Sequence, residues 1–279
     1  MNHHARWRLD FARTLNKKLD RASGLEAVMV LGSVARGYSD AYSDLEIMLV
    51  WDQLPDIDRQ AAIAALLQAE HRYPTFDPGY QSSFRIQGIP VDLWHTTVAQ
   101  EEAIIQPVLT EYSLDLVANN RLDTLRSCIP LRDGPCVQRW KALSREYPEE
   151  LTIRFLETYL PHFHQRQLNL AAHRNNLTSC YQLLSSIQCS LFLVLLALNK
   201  AYFPTFKWIY QTLATLPIGP ANIVERLQQM FHEPPIRAAA QLRAVLAETL
   251  DIVESRYPQL DTAYPRYGLD QPAQSYESV

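Results

Sequence analysis

The hydrophobic period of the chain changes once, near residue 135, and this change constrains the fold more than any other feature. Before it, short apolar runs bounded by turn residues alternate with amphipathic stretches; after it, apolar residues recur at helical spacing almost throughout. A segment rich in chain breakers, residues 121–135, lies at the change and is a plausible boundary. The pattern predicts an α+β domain over residues 1–135, a helical domain over 136–260 and a loose tail over 261–279.

The short apolar runs of the first domain predict a small sheet with flanking helices. Strands are expected where apolar runs end at turn residues, over 25–31, 44–51, 83–87, 89–96 and 128–131. Helices are expected where the period is about four, over 5–21, 57–71 and 98–113. In the second domain prolines separate the helices predicted over 136–146, 149–173, 177–201, 204–215, 219–231 and 234–256.

Charge excludes one broad class of partner. The 279 residues carry 26 Lys and Arg against 30 Asp and Glu, a formal charge of −4. Residues 1–135 hold 13 basic and 18 acidic residues (−5), and the remainder holds 13 basic and 12 acidic residues (+1). Neither half has the excess of Lys and Arg that attracts bulk nucleic acid regardless of sequence. Bulk, sequence-independent binding of nucleic acid is therefore not expected.

Three features of the sequence bear on the localisation of the protein. The most apolar stretch, Cys189–Leu198, is about half the length that a membrane span needs, so we expect a buried helix and no membrane. The N-terminal sequence lacks the continuous apolar core of a signal peptide. The spacing of the four cysteines fits neither a zinc site nor a small disulfide framework, and we expect reduced thiols in a cytoplasmic protein.

The stretch 30–47 is the part of the sequence that carries chemistry. A predicted strand runs into Gly32-Ser33, and the next strand opens with Ser43-Asp44-Leu45-Glu46. Side chains two apart in a strand share a face, so Asp44 and Glu46 would project together. Two neighbouring carboxylates are costly without a cation, and such hard oxygen ligands favour Mg²⁺ or Mn²⁺. Gly32, which has no Cβ, would let backbone N–H groups approach a phosphate closely.

A third carboxylate is predicted at Asp92. It is the acid within a later predicted strand, in Ile89-Pro90-Val91-Asp92-Leu93-Trp94, where its apolar neighbours alternate away from it. If this strand lies beside the strand of Asp44 and Glu46, the three carboxylates meet at one site.

A Gly-Ser turn, Asp-x-Glu in the next strand and a later strand aspartate together resemble the nucleotidyltransferase superfamily typified by DNA polymerase beta. The version here is most similar to the small-molecule members, the aminoglycoside and lincosamide nucleotidyltransferases, and to the minimal enzymes of toxin–antitoxin pairs. The resemblance implies a nucleotidyltransferase core with a small mixed sheet, followed by an all-helical bundle that binds substrate. The helix end 197–204 resembles, more loosely, that of an accompanying domain whose substrate is unknown.

The resemblance also implies a role for each motif position. Ser33 would bind the β- and γ-phosphates of the nucleotide, and Ser43 would add a contact to the triphosphate. Asp44 and Glu46 would hold the metal ions, and Arg36 would help to neutralise the phosphates. Asp92 would be either a third metal ligand or the general base, and both roles stay open. The catalytic set is therefore Asp44, Glu46 and Asp92, with Gly32 framing the phosphates.

Two features of the helical half are weaker candidates. A lysine from this half would reach the triphosphate, and Lys207 is preferred to Lys200. His162, Arg166, Asn169 and His173 are spaced to share one helix face, either as a wall of an acceptor pocket or as a solvated polar stripe.

The function expected from the resemblance is transfer of AMP from ATP to a hydroxyl of a small molecule, with release of pyrophosphate, in a cleft between the two domains. An antibiotic-like acceptor is compatible with this reading. Two alternatives are an adenylyltransferase that modifies a protein partner, in the manner of an antitoxin, and a nucleotide-binding regulator without turnover. The large helical half argues against the first, and the complete acidic set argues against the second.

Overall fold

The structure, a computed structural model, describes residues 1–20, 22–71 and 81–271, and the chain forms two compact units. Unit 1 comprises Met1–Glu111 and Asp115–Glu146, and unit 2 comprises Tyr112–Leu114 and the chain from Tyr147 onward. The boundary between the two units lies after Glu146, not at the predicted residue 135. The residues between these two positions belong to unit 1, where the helix they form packs against the preceding helix.

Unit 1 is a mixed sheet with helices. Its helices are α1 (His3–Leu19), α2 (Gly32–Arg36), α3 (Ile57–Leu67), α4 (Val98–Thr110), α5 (Leu116–Ser127) and α6 (Pro135–Leu143). Its strands are β1 (Leu25–Val30), β2 (Leu45–Trp51), β3 (Glu70–His71), β4 (Gln81–Ile86), β5 (Ile89–Thr97) and β6 (Ile129–Arg132). The six strands lie in the order β3-β4-β5-β2-β1-β6. The prediction of an α+β chain with a small mixed sheet is confirmed.

Pairing between β2 and β5 is parallel, whereas the other neighbouring strands are antiparallel. The parallel register places Ile47 beside Leu93, and both belong to a core that includes side chains of α1 and α3. We call this side of the sheet the core face. Because side chains alternate along a strand, Glu46 and Asp92 project from the opposite side, which we call the carboxylate face. The register therefore follows from burial of the apolar positions.

Local sequence explains where several helices begin and end. The Asn2 side chain accepts a hydrogen bond from the Ala5 N–H and caps α1. Thr97 and Gln100 form a reciprocal capping box at the start of α4. Helix α3 ends at Leu67, earlier than predicted, because Gln68 takes a left-handed conformation with φ of 56°.

Helix α5 is the main difference from the sequence prediction in unit 1. The stretch that was expected to be a breaker-rich boundary is helical as far as Ser127. Asp115 caps this helix by accepting from the Ala118 N–H, and Ala118, Leu122 and Leu125 form its buried stripe. The Gly-Ser turn also differs, since Gly32 opens the short helix α2.

Unit 2 is helical in every described element. Its α-helices are α7 (Glu149–Tyr159), α8 (Arg166–His173), α9 (Leu177–Leu198), α10 (Ile209–Leu213), α11 (Ile223–Gln229), α12 (Pro235–Arg256) and α13 (Ala263–Leu269). Short 3-10 turns cover Leu160–Phe163, Phe206–Trp208 and Met230–His232. The prediction that the C-terminal part is helical is confirmed.

The helix predicted over 149–173 is wrong, because the structure divides it. Pro161 lies in the 3-10 turn between α7 and α8. Proline cannot donate a backbone hydrogen bond, and its ring crowds the preceding turn of a helix. The α-helix is therefore interrupted at this turn.

The loose tail predicted over 261–279 contains an anchored helix, α13, and residues 272–279 lie outside the described residues. Arg266 pairs with Glu254 at 2.8 Å and with Asp251. The hydrogen bonds from Arg266 and Thr262 lower the pKa of Glu254 to about 2. These ion pairs and the buried residues Pro265, Gly268 and Leu269 hold a segment too short for its apolar spacing to indicate a helix.

Helix α9 is long and apolar enough to cross a membrane by length and composition, with a mean hydropathy of 1.8 over its most apolar window. Within the structure 67% of that window is buried. It behaves as the core helix of unit 2, as the sequence predicted for Cys189–Leu198. The four cysteines are free thiols.

His95 lies in the middle of a series of buried side-chain hydrogen bonds in unit 1. Trp51 Nε1 donates to His95 Nδ1 at 3.1 Å, and His95 Nε2 lies 3.2 Å from the Ser82 hydroxyl. Ser82 in turn donates to Gln60 Oε1. Burial lowers the pKa of His95 to about 4, so the imidazole is neutral at physiological pH.

This burial predicts a pH-dependent stability. Between pH 7 and pH 5 the unfolded chain protonates His95, whose ordinary pKa is about 6.5, while the folded chain does not. We expect this histidine to remove about 2 kcal/mol of unfolding free energy over that interval. Urea denaturation at both pH values measures it. His95→Asn, which keeps an acceptor for Trp51 but does not titrate, should lose about 2 kcal/mol less. Equal losses in the two proteins would contradict the assignment.

Candidate functional site

Gly32 and Glu46 are in direct contact at the centre of the predicted site. Gly32 has a φ of +59°, in the region that favours glycine. A Cβ at this position would lie 1.5 Å from Glu46 Oε2. The missing side chain therefore leaves the space in which the Glu46 carboxylate lies, at the point where β1 leads into α2.

The three predicted carboxylates occupy neighbouring strands. Glu46 and Asp92 are paired positions of the parallel β2–β5 register, and Asp44 immediately precedes β2. All three side chains are partly buried. Ser83 on β4 is the partner of Asp92 in the adjacent pairing and donates a hydrogen bond to Asp92 Oδ1 at 2.7 Å. That hydrogen bond orients the Asp92 carboxylate.

The loop between α2 and β2 is held by its own polar groups. Ser43 Oγ donates to Asp40 Oδ1 at 2.9 Å and accepts from the Asp40 N–H at 3.0 Å. The hydroxyls of Ser33 and Ser39 lie 3.2 Å apart. Ser43 thus holds the turn that precedes Asp44, and its predicted contact with a triphosphate stays a prediction, as does that of Ser33.

Arg8 is a site-supporting residue that the sequence did not reveal. The residue is 3% exposed, and its guanidinium donates to the Ser43 carbonyl from Nε at 3.1 Å and from Nη2 at 2.7 Å. Burial lowers the pKa of Arg8, while Asp40 and Asp44 oppose this shift. A buried cation on α1 therefore fixes the backbone next to Asp44. In sequence it is indistinguishable from the other arginines of an amphipathic helix.

Arg36 has a partner other than a phosphate. Its guanidinium pairs with Asp123 on α5, with Nε 3.0 Å from Oδ2, and both side chains are largely buried. Burial raises the pKa of Asp123, and the charge of Arg36 opposes this. The pair joins α2 to α5, and the predicted role of Arg36 in neutralising phosphates stays a prediction.

Arg121 of α5 and Glu101 of α4 form a second ion pair, close to Trp94 of β5. Arg121 Nε is 3.1 Å from Oε1 of Glu101, whose side chain is fully buried. The Arg121 guanidinium also lies 5.6 Å from the centre of the Trp94 ring. Burial raises the pKa of Glu101, opposed by Arg121 and by the hydrogen bond from Thr96.

The donor set suits a hard cation that shares its shell with phosphate. Within residues 1–20, 22–71 and 81–271, no group of three or more His, Cys, Asp or Glu side chains is placed to hold a metal ion by itself. Mg²⁺ in nucleotide sites takes about one or two carboxylates together with water and phosphate oxygens. Carboxylates on paired strand positions, beside a glycine without a Cβ, fit that mode of binding.

The lysines predicted to reach the triphosphate lie in unit 2. Lys207 is exposed, and its Nζ lies 5.8 Å from the centre of the Trp208 ring. Lys200 Nζ is 2.6 Å from Glu149. The role of Lys207 stays a prediction.

The polar stripe predicted on one helix is wrong. His162 lies in the 3-10 turn, 3.1 Å from the Ser190 hydroxyl, whereas Arg166, Asn169 and His173 belong to α8. Asn169 donates to the carbonyl of Gln271. The four side chains therefore do not share one helical face.

Comparison with known proteins gives limited matches. A family model described as a domain of unknown function (DUF4037) matches residues 120–209. Among solved structures, the chain is similar to a nucleotidyltransferase-like protein from Exiguobacterium sibiricum 255-15, with 9% identity and a TM-score of 0.40. That match covers 88% of this chain and 74% of the other. No curated protein matches the chain. These values transfer neither an activity nor a residue's role.

The contact between Gly32 and Glu46 predicts a coupled effect on stability. Gly32→Ala should cost more free energy of unfolding in the wild-type chain than in a Glu46→Ala background, by about 1 kcal/mol, because only the former has a carboxylate to displace. Gly88→Ala is the matched control, since Gly88 also has a left-handed φ, +80°, but nothing lies within 4 Å of an added Cβ. Chemical denaturation of the four proteins of the cycle measures the coupling. An equal cost of Gly32→Ala in both backgrounds would exclude the contact.

Proposed function

We propose that the protein is a metal-dependent nucleotidyltransferase that transfers AMP from ATP to a hydroxyl of a small molecule and releases pyrophosphate. The observation that carries the proposal is the placement of Glu46 directly beside Asp92, with the Glu46 carboxylate against Gly32. Glu46 and Asp92 come from separate parts of the sequence and occupy paired positions of the β2–β5 register, which supports the proposal. Cytoplasmic location remains part of this proposal.

The acidic residues would bind a cation, and the cation would bind the phosphates. Asp44 and Glu46, with Asp92 as a possible third ligand, would hold Mg²⁺ or Mn²⁺. When bound there, the ion would neutralise phosphate charge and polarise the α-phosphate. Backbone N–H groups at Gly32 and Ser33 would contact the β- and γ-phosphates from the other side. The net negative charge of the first half of the chain thus agrees with a nucleotide site.

The transfer step needs few groups from the protein. The acceptor oxygen forms a bond to the α-phosphorus while the bond from that phosphorus to the bridging oxygen breaks, and pyrophosphate leaves with that electron pair. The hydroxyl proton passes to Asp92 or, if Asp92 is a metal ligand, to solvent. The Ser83 hydroxyl donates to Asp92 Oδ1, so Oδ2, which accepts nothing from Ser83, would serve either task.

The test measures pyrophosphate release from ATP and Mg²⁺ with a panel of hydroxylated acceptors, antibiotics included. Asp92→Asn should reduce the turnover rate by about 10²–10⁴-fold, the usual contribution of a general base. Asp10→Asn is the matched control, because Asp10 is an exposed acid of α1 in the same unit. Binding of ATP is followed by calorimetry with and without Mg²⁺, because this readout needs no acceptor.

Three outcomes would change the proposal. Release that is equal in Asp92→Asn and Asp10→Asn would assign turnover to another site. Label from ATP that appears on a polypeptide would favour the protein-modifying alternative. ATP binding that needs Mg²⁺ but yields no product with any acceptor or polypeptide would favour a regulator.

A further inference from the structure

The order of the strands separates two sides of the proposed site. From β2, the neighbour on one side is β1, which leads into Gly32 and the proposed phosphate contacts. The neighbours on the other side are β5 and β4, which carry Asp92 and Ser83. If phosphates occupy the β1 side, the acceptor hydroxyl must approach over β5 and β4.

Trp94 extends the carboxylate face on the acceptor side. It lies two residues beyond Asp92 on β5, so both side chains project from the same face, at Cα positions about 6.5 Å apart. Val91, Leu93 and His95, between and beyond them, are buried on the core face, whereas Asp92 and Trp94 are partly exposed. A molecule that presents a hydroxyl to Asp92 therefore extends over or beside the Trp94 ring.

The Arg121 guanidinium lies against the Trp94 ring, and its ion pair with Glu101 holds it in this orientation. Its Nε lies 3.1 Å from Glu101 Oε1 in an ion pair, and the guanidinium lies over Trp94, 5.6 Å from the ring centre. Thr96, two residues beyond Trp94 on the same strand face, donates to the other oxygen of Glu101. In the part of the chain that the structure describes, the two terminal amino groups of Arg121 have no hydrogen-bonding partner, and its side chain is 19% exposed. Two donors therefore remain for a ligand.

A gain in stability does not by itself explain why the Glu101 carboxylate is buried. Its carboxylate is fully buried, and removing two charges from water costs about as much as their attraction returns. A fixed arginine with free donors is, however, well suited to a carboxylate or a phosphate, which it can bind with two parallel hydrogen bonds.

We infer that Trp94 and Arg121 form the acceptor wall of the site, and that the acceptor is a small hydroxylated molecule bearing a carboxylate or phosphate. The inference rests on the proposed function for the identity of the ligand as acceptor. It favours an anionic acceptor over a polycation such as an aminoglycoside, because the terminal amino groups of Arg121 can donate hydrogen bonds but cannot accept them.

The test uses three probes that share one scaffold: glycerol, glycerate and glycerol 3-phosphate. The full chain is first saturated with Mg²⁺ and α,β-methylene ATP, so that the nucleotide site is occupied, and each probe is then titrated by NMR or calorimetry. We expect at least one anionic probe to bind about tenfold or more tightly than glycerol, as is typical of a hydrogen bond to a charged group. The tighter of the two anions identifies the group as carboxylate or phosphate.

Variants of Arg121 and Glu101 test whether the acceptor wall causes the preference for anionic probes. Arg121→Gln leaves Glu101 buried without a cation and risks misfolding, so the double variant Arg121→Gln with Glu101→Gln is measured beside it. The double variant should bind all three probes equally, whereas Arg126→Gln, an exposed arginine of the same helix, should keep the preference. No anion preference in the wild-type chain, or one that the double variant retains, would overturn the inference. Failure of the nucleotide analogue to bind would count against the proposed function, while the anion preference is still measurable without it.

Discussion

The site depends on a side chain that is absent. Gly32 turns the chain from β1 into α2 with a positive φ, and the space a Cβ would fill holds the Glu46 carboxylate. Glu46 is fixed from its other side by the parallel pairing of β2 with β5, which places Asp92 beside it. The apolar residues of the core face set this register, since a slip by one residue would turn the carboxylates toward the core face. Burial of one sheet face thus positions the chemistry of the other.

Helix α5 connects the two sides of the carboxylate face. Asp123 pairs with Arg36 beside the Gly-Ser motif, and Arg121 lies against Trp94 beyond Asp92. Both ion pairs contain a largely buried carboxylate, so each would be costly to leave unpaired. The helix therefore holds α2 and β5 in place relative to each other. A segment that the sequence pattern presents as a boundary is part of the frame of the site.

Local patterns in the sequence predicted much of this arrangement, and long-range contacts explain the rest. The strands and the motif positions Gly32, Glu46 and Asp92 follow from alternation and spacing, which are local. The stripe of α5 is short and precedes a run of breakers, so the hydrophobic pattern does not indicate its helix. The pairing of Arg36 with Asp123, 87 residues apart, and the anchoring of Ser43 by Arg8 join distant segments, and no periodicity specifies them. Pro161 lies within a continuous helical period, and its missing N–H and restricted φ interrupt the helix that this period indicates.

The most direct test of the central claim is the position of the metal ion in a crystal of the full chain grown with Mn²⁺ and α,β-methylene ATP. Anomalous scattering locates Mn²⁺ without reference to any assumed site. The account predicts a peak about 2.0–2.3 Å from carboxylate oxygens of Asp44 and Glu46, on the side of β2 next to Asp92, with the triphosphate extending toward Gly32. A nucleotide and ion bound elsewhere, with Asp44, Glu46 and Asp92 free of both, would contradict it.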